Sequence, residues 1–317
     1  MPRPGAGKPL RTLGDGAAAI IGTDRGGLGR GVVLMAASLA MFLLAGVLAR
    51  DLSARYPVGE VLFLRFLLSL IVVVPFALVT AGWAALRSAN PALQAARAAC
   101  GVAAAGLFYA ASQHLTFAAL VTVSYTMPLF VVLLSQPVLG ERVGPHRALL
   151  VAGGFCGVVL VLAPAGLRAW SLAALGMAIL NAVCALGARK LAATDAPATT
   201  SLLFVIVGTG LTLPLTACSF SPVAPVDALR FLMLGVASGL AVILNVGAFR
   251  HGPAAVLVPI DYFGIVAAMA IGFFAYREVP TASAIVGSGL IAIMGWAQLW
   301  VAQRERRSPS KSQRILN

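Results

Sequence analysis

The two halves of this chain of 317 residues carry the same pattern. Without gaps, residues 108–141 share 7 of 34 positions with residues 245–278, and residues 43–79 share 6 of 37 with residues 182–218. Apolar composition alone would produce several such matches. Chance rarely repeats His, Tyr, Glu, Arg and Pro in the same order, so the pattern predicts an internal duplication. The matches of these types are Arg50/Arg189, Pro75/Pro214, His114/His251, Tyr125/Tyr262 and Glu141/Glu278.

The composition places the duplicated units in a membrane. Apolar residues make up 60% of the chain and charged residues only 10%, whereas a soluble protein carries about 25% charged residues. Apolar stretches of roughly 20 residues are long enough to cross a hydrocarbon core of about 30 Å. We predict ten spans, near 31–49, 58–80, 98–116, 118–139, 148–167, 170–188, 199–219, 230–249, 254–275 and 281–301.

Each repeat therefore holds five spans, and an odd number turns the second copy upside down relative to the first. The predicted fold is an all-α integral membrane protein with repeats at 31–167 and 168–301, flanked by basic, disordered tails at 1–30 and 302–317. Inverted repeats of this kind build secondary transporters, whose site lies near the bilayer midplane where the halves meet.

The net charge of +13 is a topology signal rather than a nucleic-acid signal. With the N-terminus in the cytoplasm, 17 Lys and Arg residues fall on the cytoplasmic side and five on the other. Such an excess satisfies the positive-inside rule and predicts that both termini are cytoplasmic.

Two segments carry a resemblance to a known family: VSYTMPLFVVLLSQPVLGERV at 123–143 and VPIDYFGIVAAMAIGFFAYREVP at 258–280. Each ends in a Glu just past a span. The chain resembles the drug/metabolite transporter superfamily, in its ten-span EamA-type branch. The resemblance implies a multi-pass protein of the bacterial inner membrane that works by alternating access, with proton coupling or facilitated diffusion.

The resemblance leaves the cargo and its direction open. The resemblance to this family favours export of amino acids or other metabolites. The Pro-x-Asp-Tyr start of the ninth span is similar to a subgroup that takes up S-adenosylmethionine, and a vitamin such as riboflavin is a third option. A non-transporting membrane component, such as a flippase partner, is the alternative outside transport.

Three charged residues fall within predicted spans, and such residues are costly enough to be functional candidates. Asp261 follows Pro259, which removes a helical hydrogen bond, so we expect either a proton- or cation-binding group or a neutral group that locks helices. Arg65 either binds a carboxylate or phosphate of the substrate or braces the bundle. We expect Arg65 and Asp261 on opposite sides of the midplane, and Glu60 to be solvated near the interface.

The uncharged polar residues of the spans either contact substrate or form interhelical hydrogen bonds. Tyr125 and Tyr262 are repeat-related and are expected to close opposite gates or to stack on a flat substrate. Pro128 and Pro259 are candidates for helix breaks that assist gating. The remaining binding candidates are Tyr109 and Gln113, expected in the outer half, and Asn181 and Asn245, expected in the inner half.

No Walker loop, zinc-type spacing or nucleophile elbow is present, so we expect no enzyme, no cofactor and no metal. The expected partners are a small-molecule substrate and the lipid bilayer, without nucleic acid. Gly153, Gly154 and Gly157 form a small-residue face, either a homodimer seam or an intramolecular contact. Glu278 and Glu141 are expected to pair with the neighbouring Arg277 and Arg142.

Overall fold

The structure, a computed structural model, describes residues 25–139, 145–165, 168–217, 221–251 and 254–307. Throughout these ranges the regular structure is helical and contains no strand. The helices are α1 (Arg25–Ser53), α2 (Val58–Ala81), α3 (Pro91–Ala111), α4 (Phe117–Ser124), α5 (Met127–Leu139), α6 (Pro145–Leu162), α7 (Ala169–Leu191), α8 (Pro197–Ala217), α9 (Pro225–His251), α10 (Ala254–Asp261), α11 (Phe263–Tyr276) and α12 (Ala282–Arg307), with short 3₁₀ turns at Gly82–Leu86 and Ala163–Ala165.

Seven helical stretches in the described part of the chain are long and apolar enough to cross a membrane, and two shorter apolar helices accompany them at Ala148–Leu162 and Ala282–Gln298. The chain is thus a multi-pass, all-helical membrane protein. The predicted tails are shorter than expected, since α1 begins at Arg25 and α12 continues to Arg307. Gln, Arg and Glu are strong helix formers, which explains the extension of α12. The rest of the tails lies outside the described residues.

Two apolar stretches are interrupted in the middle. The stretch at 117–139 breaks into α4 and α5 around Tyr125, and the stretch at 254–276 breaks into α10 and α11 at Tyr262. Pro128 and Pro259, near the two breaks, have no amide hydrogen and so cannot complete the helical ladder. At the first break the chain tightens into three-residue turns, with the Thr126 amide donating to the Val123 carbonyl (3.0 Å). Pro128 explains the first interruption, because a proline weakens the helix on its N-terminal side, whereas Pro259 lies three residues before the break at Tyr262 and does not by itself explain it.

The helices of the two halves pack between one another rather than side by side. The most extensive contacts join α1 to α9, α3 to α7, α2 to α8 and α6 to α12. The buried core around the interrupted helices is built from large apolar side chains, among them Phe117, Leu120, Leu129 and Met177. Every strong contact named here therefore joins the first half of the chain to the second.

The small-residue face of α6 is used inside the molecule. A Cβ added at Gly157 would lie 2.8 Å from the Gly287 carbonyl oxygen of α12, so the two backbones touch. Gly153 faces Met294 of α12, and Gly154 faces Leu129 of α5. Of the two readings of this face, the structure favours the intramolecular contact.

Two connections cap helices of the opposite half. The Tyr56 hydroxyl donates to Asp227 Oδ2 (3.0 Å) and accepts from the Ala224 amide (3.1 Å), just before α9. Asp195 accepts from the Ala89 amide (3.0 Å) and the Gln94 side chain (2.9 Å), at the start of α3.

Asp195 also accepts a hydrogen bond from Ser88. That bond, together with the Ala89 and Gln94 donors, holds the pKa of the Asp195 carboxyl below its ordinary value despite burial. Tyr56 and Asp195 lie 139 positions apart, which is the offset of the second sequence match.

Candidate functional site

The two helix breaks meet in space. The rings of Tyr125 and Tyr262 lie with their centroids 5.8 Å apart at an angle of 38°. The prediction that they close opposite gates is wrong for this conformation, because each lies at the break of its own stretch and the breaks are adjacent. The repeat-related tyrosines therefore form one aromatic pair between the halves.

Each of the two tyrosine hydroxyls packs closely against a glycine. A Cβ on Gly264 of α11 would collide with the Tyr125 hydroxyl, and a Cβ on Gly295 of α12 would collide with the Tyr262 hydroxyl. Tyr262 is 9% exposed, and its hydroxyl has no hydrogen-bond partner among the described residues. A buried, unpaired hydroxyl is costly, so this group is suited to a ligand that supplies the missing partner.

Asp261 lies beside this pair as the last residue of α10. Its side chain is partly buried, and no described residue forms a hydrogen bond or an ion pair with it. The carboxylate is thus placed to take up a proton or a cationic group.

Arg65 is held by its neighbours on three helices. Its Nε donates to Ser238 Oγ of α9 (3.0 Å), and its guanidinium lies 5.8 Å from the ring centroid of Tyr109 on α3 and 5.3 Å from that of Phe66. Tyr109 itself is only 3% exposed. These contacts support the bracing role, and a guanidinium has further N–H groups for an anion.

The other predicted residues lie apart from the aromatic pair or make different contacts. Asn245 lies near Met35, with 3.6 Å from its Nδ2 to the sulfur. Gln113 is exposed at the end of α3 and donates to the Arg50 carbonyl (2.7 Å), which caps α1. Asn181 is partly buried in the middle of α7. The structure thus brings together Asp261, Tyr262, Tyr125, Pro259 and Pro128, on the two interrupted stretches.

Two expectations for acidic residues are wrong. Glu60 is fully buried rather than solvated, because the segment before α9 covers it and the Ser221 amide donates to its Oε2 (3.1 Å). Glu278 pairs with Arg50 (2.8 Å) rather than with its neighbour Arg277, whose left-handed backbone (φ 56°) ends α11 and turns the chain. The predicted pair of Glu141 and Arg142 lies outside the described residues.

Sequence reasoning also missed the contacts of α12 with the interrupted stretches. Thr122 and Ser288 are buried with their hydroxyl oxygens 3.3 Å apart, and Gly295 seats Tyr262. A Gly or Ser in an apolar span gives no signal of its own, so only the packing reveals these residues.

Two cavities in the described part of the chain have no residue of the aromatic pair in their lining. A cavity of about 260 Å³ opens between the ends of α4, α6 and α12, lined by Glu278, Thr281 and Ser288 among others. A neighbouring one of about 380 Å³ shares His114 and lies against Trp170, whose ring stacks on His114 at 3.9 Å. Across the described ranges, no three His, Cys, Asp or Glu side chains gather as in a metal site.

Residues 29–163 match the model of the EamA-like transporter family. The match covers most of the first half of the chain. The resemblance to EamA-type members of the drug/metabolite transporter superfamily is thereby confirmed, and the chain is a small-molecule transporter.

Curated relatives cover most of the chain. The pseudopaline exporter CntI of Pseudomonas aeruginosa is 28% identical over 83% of this chain and 93% of its own length. The S-adenosylmethionine uptake transporter of Rickettsia prowazekii is 25% identical over 88% of this chain and 95% of its own, and the riboflavin transporter of Brucella anthropi is 25% identical over 72% and 83%. A chain of known crystal structure shares the fold at a TM-score of 0.59, with 21% identity over 88% of this chain and 99% of its own.

Proposed function

We propose that this transporter is an alternating-access carrier of a small organic metabolite, with Asp261, Tyr125 and Tyr262 at its binding site. One observation carries the proposal: two stretches break at repeat-related tyrosines, and the tyrosines meet beside a carboxylate that no described residue pairs. Discontinuous helices near the midplane are how secondary transporters build their sites.

Contacts between the halves support ten spans in two inverted repeats of five. If α4–α5 and α10–α11 each count as one span, the repeats are α1–α6 and α7–α12. Exchange of the repeats then converts the contact of α1 with α9 into that of α7 with α3, and the contact of α2 with α9 into that of α8 with α3. All four contacts are present, and an odd number of spans per repeat requires inversion.

The chemistry of the site favours a proton or a cationic group. Pro128 leaves the Ser124 carbonyl, at the first break, without its helical partner, and Pro259 does the same to the Ala255 carbonyl in the first turn of α10, so each interrupted stretch can offer an oxygen ligand. The carboxylate adds a negative charge, and the two aromatic faces attract cations or stack on a flat ring. A protonated Asp261 would load the carrier with one proton, while a cationic cargo would replace that proton.

The relatives support a metabolite cargo and both directions of transport. Their names state export of pseudopaline and uptake of S-adenosylmethionine. We propose that this chain works in the bacterial inner membrane with both termini in the cytoplasm, as the distribution of Lys and Arg favours. Coupling to protons follows if Asp261 must be neutral for the empty carrier to reorient.

The cargo can be found by ligand-induced stabilisation of the purified protein. The panel holds S-adenosylmethionine, amino acids, nucleosides and riboflavin. A ligand present at 100 times its dissociation constant stabilises the folded state by about 2.7 kcal/mol. The compound that raises the melting temperature is then used for counterflow and for pH-dependent uptake in proteoliposomes.

Asp261→Asn tests the site. We expect this variant to lose pH-dependent transport while it inserts and unfolds normally, because the amide cannot exchange a proton. Asp51→Asn is the matched control: Asp51 is exposed on α1 and accepts from the Tyr276 hydroxyl (3.0 Å), and an amide oxygen keeps that bond. Transport by Asp261→Asn with the pH profile of the parent would exclude the carboxylate from coupling.

A further inference from the structure

A network of polar groups joins three elements where α1 and α11 end and α4 begins. Arg50 Nη1 lies 2.8 Å from Glu278 Oε1, with the two side chains only 18% and 14% exposed. The other oxygen, Glu278 Oε2, accepts from the Phe117 amide (2.8 Å), the first residue of α4. One carboxylate thus holds both the end of α1 and the start of an interrupted stretch.

The backbone turn after α11 positions this carboxylate. The left-handed Arg277 turns the chain so that the Glu278 amide donates to the Gly272 carbonyl (2.9 Å). A Cβ at Gly272 would lie 2.9 Å from Glu278 Oε2, so a larger residue there would displace the carboxylate. The Arg50 guanidinium is covered by the ring of Tyr276, 4.2 Å from the ring centroid.

We infer that Arg50 and Glu278 form a lock that keeps the outer mouth of the carrier closed and that must open for access from outside. This inference rests on the alternating-access function proposed above. α4 leads directly into the break at Tyr125, and Glu278 follows α11, which begins at the break of the other half. Separation of α1 from α4 and α11 would expose the tyrosine pair, and the ion pair resists that separation.

The internal duplication supports a role beyond local folding. Within the two aligned windows, Arg50/Arg189 and Glu141/Glu278 are the only Arg, Lys, Asp or Glu identities between the halves. The structure joins one member of each identity in a single ion pair. Many polar residues could stabilise a turn, whereas an ion pair that resists the separation of two helices needs both an Arg and a carboxylate.

Accessibility of a cysteine beside the site tests the lock directly. Ser124→Cys, one residue before Tyr125, is placed in a chain whose native Cys100, Cys156, Cys184 and Cys218 are replaced by Ser. Right-side-out membrane vesicles are treated with a membrane-impermeant methanethiosulfonate reagent, and the rate of labelling is measured without substrate. Labelling then reports how often the outer mouth opens.

We expect Arg50→Gln and Glu278→Gln to raise the labelling rate about tenfold, the factor that corresponds to roughly 1.4 kcal/mol. Glu278→Ala should raise it further, because it also removes the acceptor of the Phe117 amide. Arg55→Gln is the matched control, since it breaks another Arg–carboxylate pair, with Asp227 at 3.3 Å, and should leave labelling unchanged.

Equal labelling rates in Arg50→Gln, Glu278→Gln and Arg55→Gln would overturn the lock. Arg50→Lys keeps the charge and should label close to the parent rate, so it replaces Arg50→Gln if that variant fails to fold; labelling as fast as Glu278→Gln would then count against the ion pair. Labelling needs no cargo, so the two proposals can fail separately. If Asp261→Asn loses transport while the lock variants label at the parent rate, the proposed carrier function is supported and the lock is refuted.

Discussion

Replacing Gly287 by Ala should destabilise the protein, whereas the same change two residues later should not. A Cβ at Gly287 would lie 2.6 Å from the Gly157 carbonyl oxygen and 2.9 Å from Leu160 Cβ, both on α6. A Cβ at Gly289 meets nothing within 4 Å. Both positions belong to α12, so the two variants differ only in what the new methyl group meets.

The size of the effect follows from this geometry. A carbon normally stays about 3.3 Å or more from a carbonyl oxygen, so α6 and α12 must separate by roughly 0.7 Å. A gap of that size forfeits about a quarter to a half of the dispersion energy across the seam, where Val158, Val161 and Ile291 are buried. Overpacking of this kind costs about 1–3 kcal/mol. Gly289→Ala should instead gain about 0.5–1 kcal/mol, because alanine favours the helix.

The measurement is unfolding of the purified variants in mixed micelles titrated with sodium dodecyl sulfate, followed by circular dichroism. We expect Gly287→Ala to unfold at a lower detergent fraction than Gly289→Ala, with the parent protein between them. Equal stability of the two variants would refute the seam. Dissociation of a dimer by Gly287→Ala, with unchanged monomer stability, would instead assign the glycine face to a homodimer.

Two further predictions follow from the polar contacts. The pKa of Asp195 is lowered in the folded state, so its carboxylate stabilises the protein above its unfolded pKa of about 3.9, and this stabilisation is lost as the pH falls through the folded pKa. Asp195→Asn should therefore weaken the loss of stability as the pH falls below about 4; an unchanged acid transition would show that this carboxylate is not responsible. The double variant Arg65→Phe, Ser238→Gly copies the packing of the repeat-related pair Phe204 and Gly101. This variant should stay folded, and it should lose transport if Arg65 binds cargo. Retained transport would show that Arg65 serves only to hold the helices together.

Much of the frame was predictable because it depends on properties that a sequence displays. Long apolar stretches, the duplication and the excess of Lys and Arg on one side predict a helical membrane protein without tertiary information. Pro128 and Pro259 also lie in the two stretches that break, but Pro75 and Pro214 lie inside the continuous helices α2 and α8, so a proline alone does not predict a break. The EamA-type resemblance agrees with each of these features.

The contacts within the candidate site were not predictable in the same way. Counting residues from a span's end places Tyr125 and Tyr262 at different depths, and that count assumes straight, parallel helices. The breaks invalidate the assumption and bring the rings within 5.8 Å. The partner of Glu278 was missed for a related reason, because Arg50 is distant in sequence and reaches it only through the packing of α1 against α11.

Comparison of the two repeats separates residues that support the shared fold from residues that are candidates for cargo binding. Arg50 and Glu278 have identical counterparts in the other half, as a lock or a frame element should when both mouths are built from one design. Asp261 has Ser124 as its counterpart, and Arg65 has Phe204. A charge that is costly within a span and is present in only one copy is not needed by the duplicated frame. Glu60 is a single-copy charge as well, but it already accepts from the Ser221 amide. Asp261 and Arg65 are therefore the charges that we expect to match the cargo, with Asp261 facing its cationic part or a proton and Arg65 available to an anionic one.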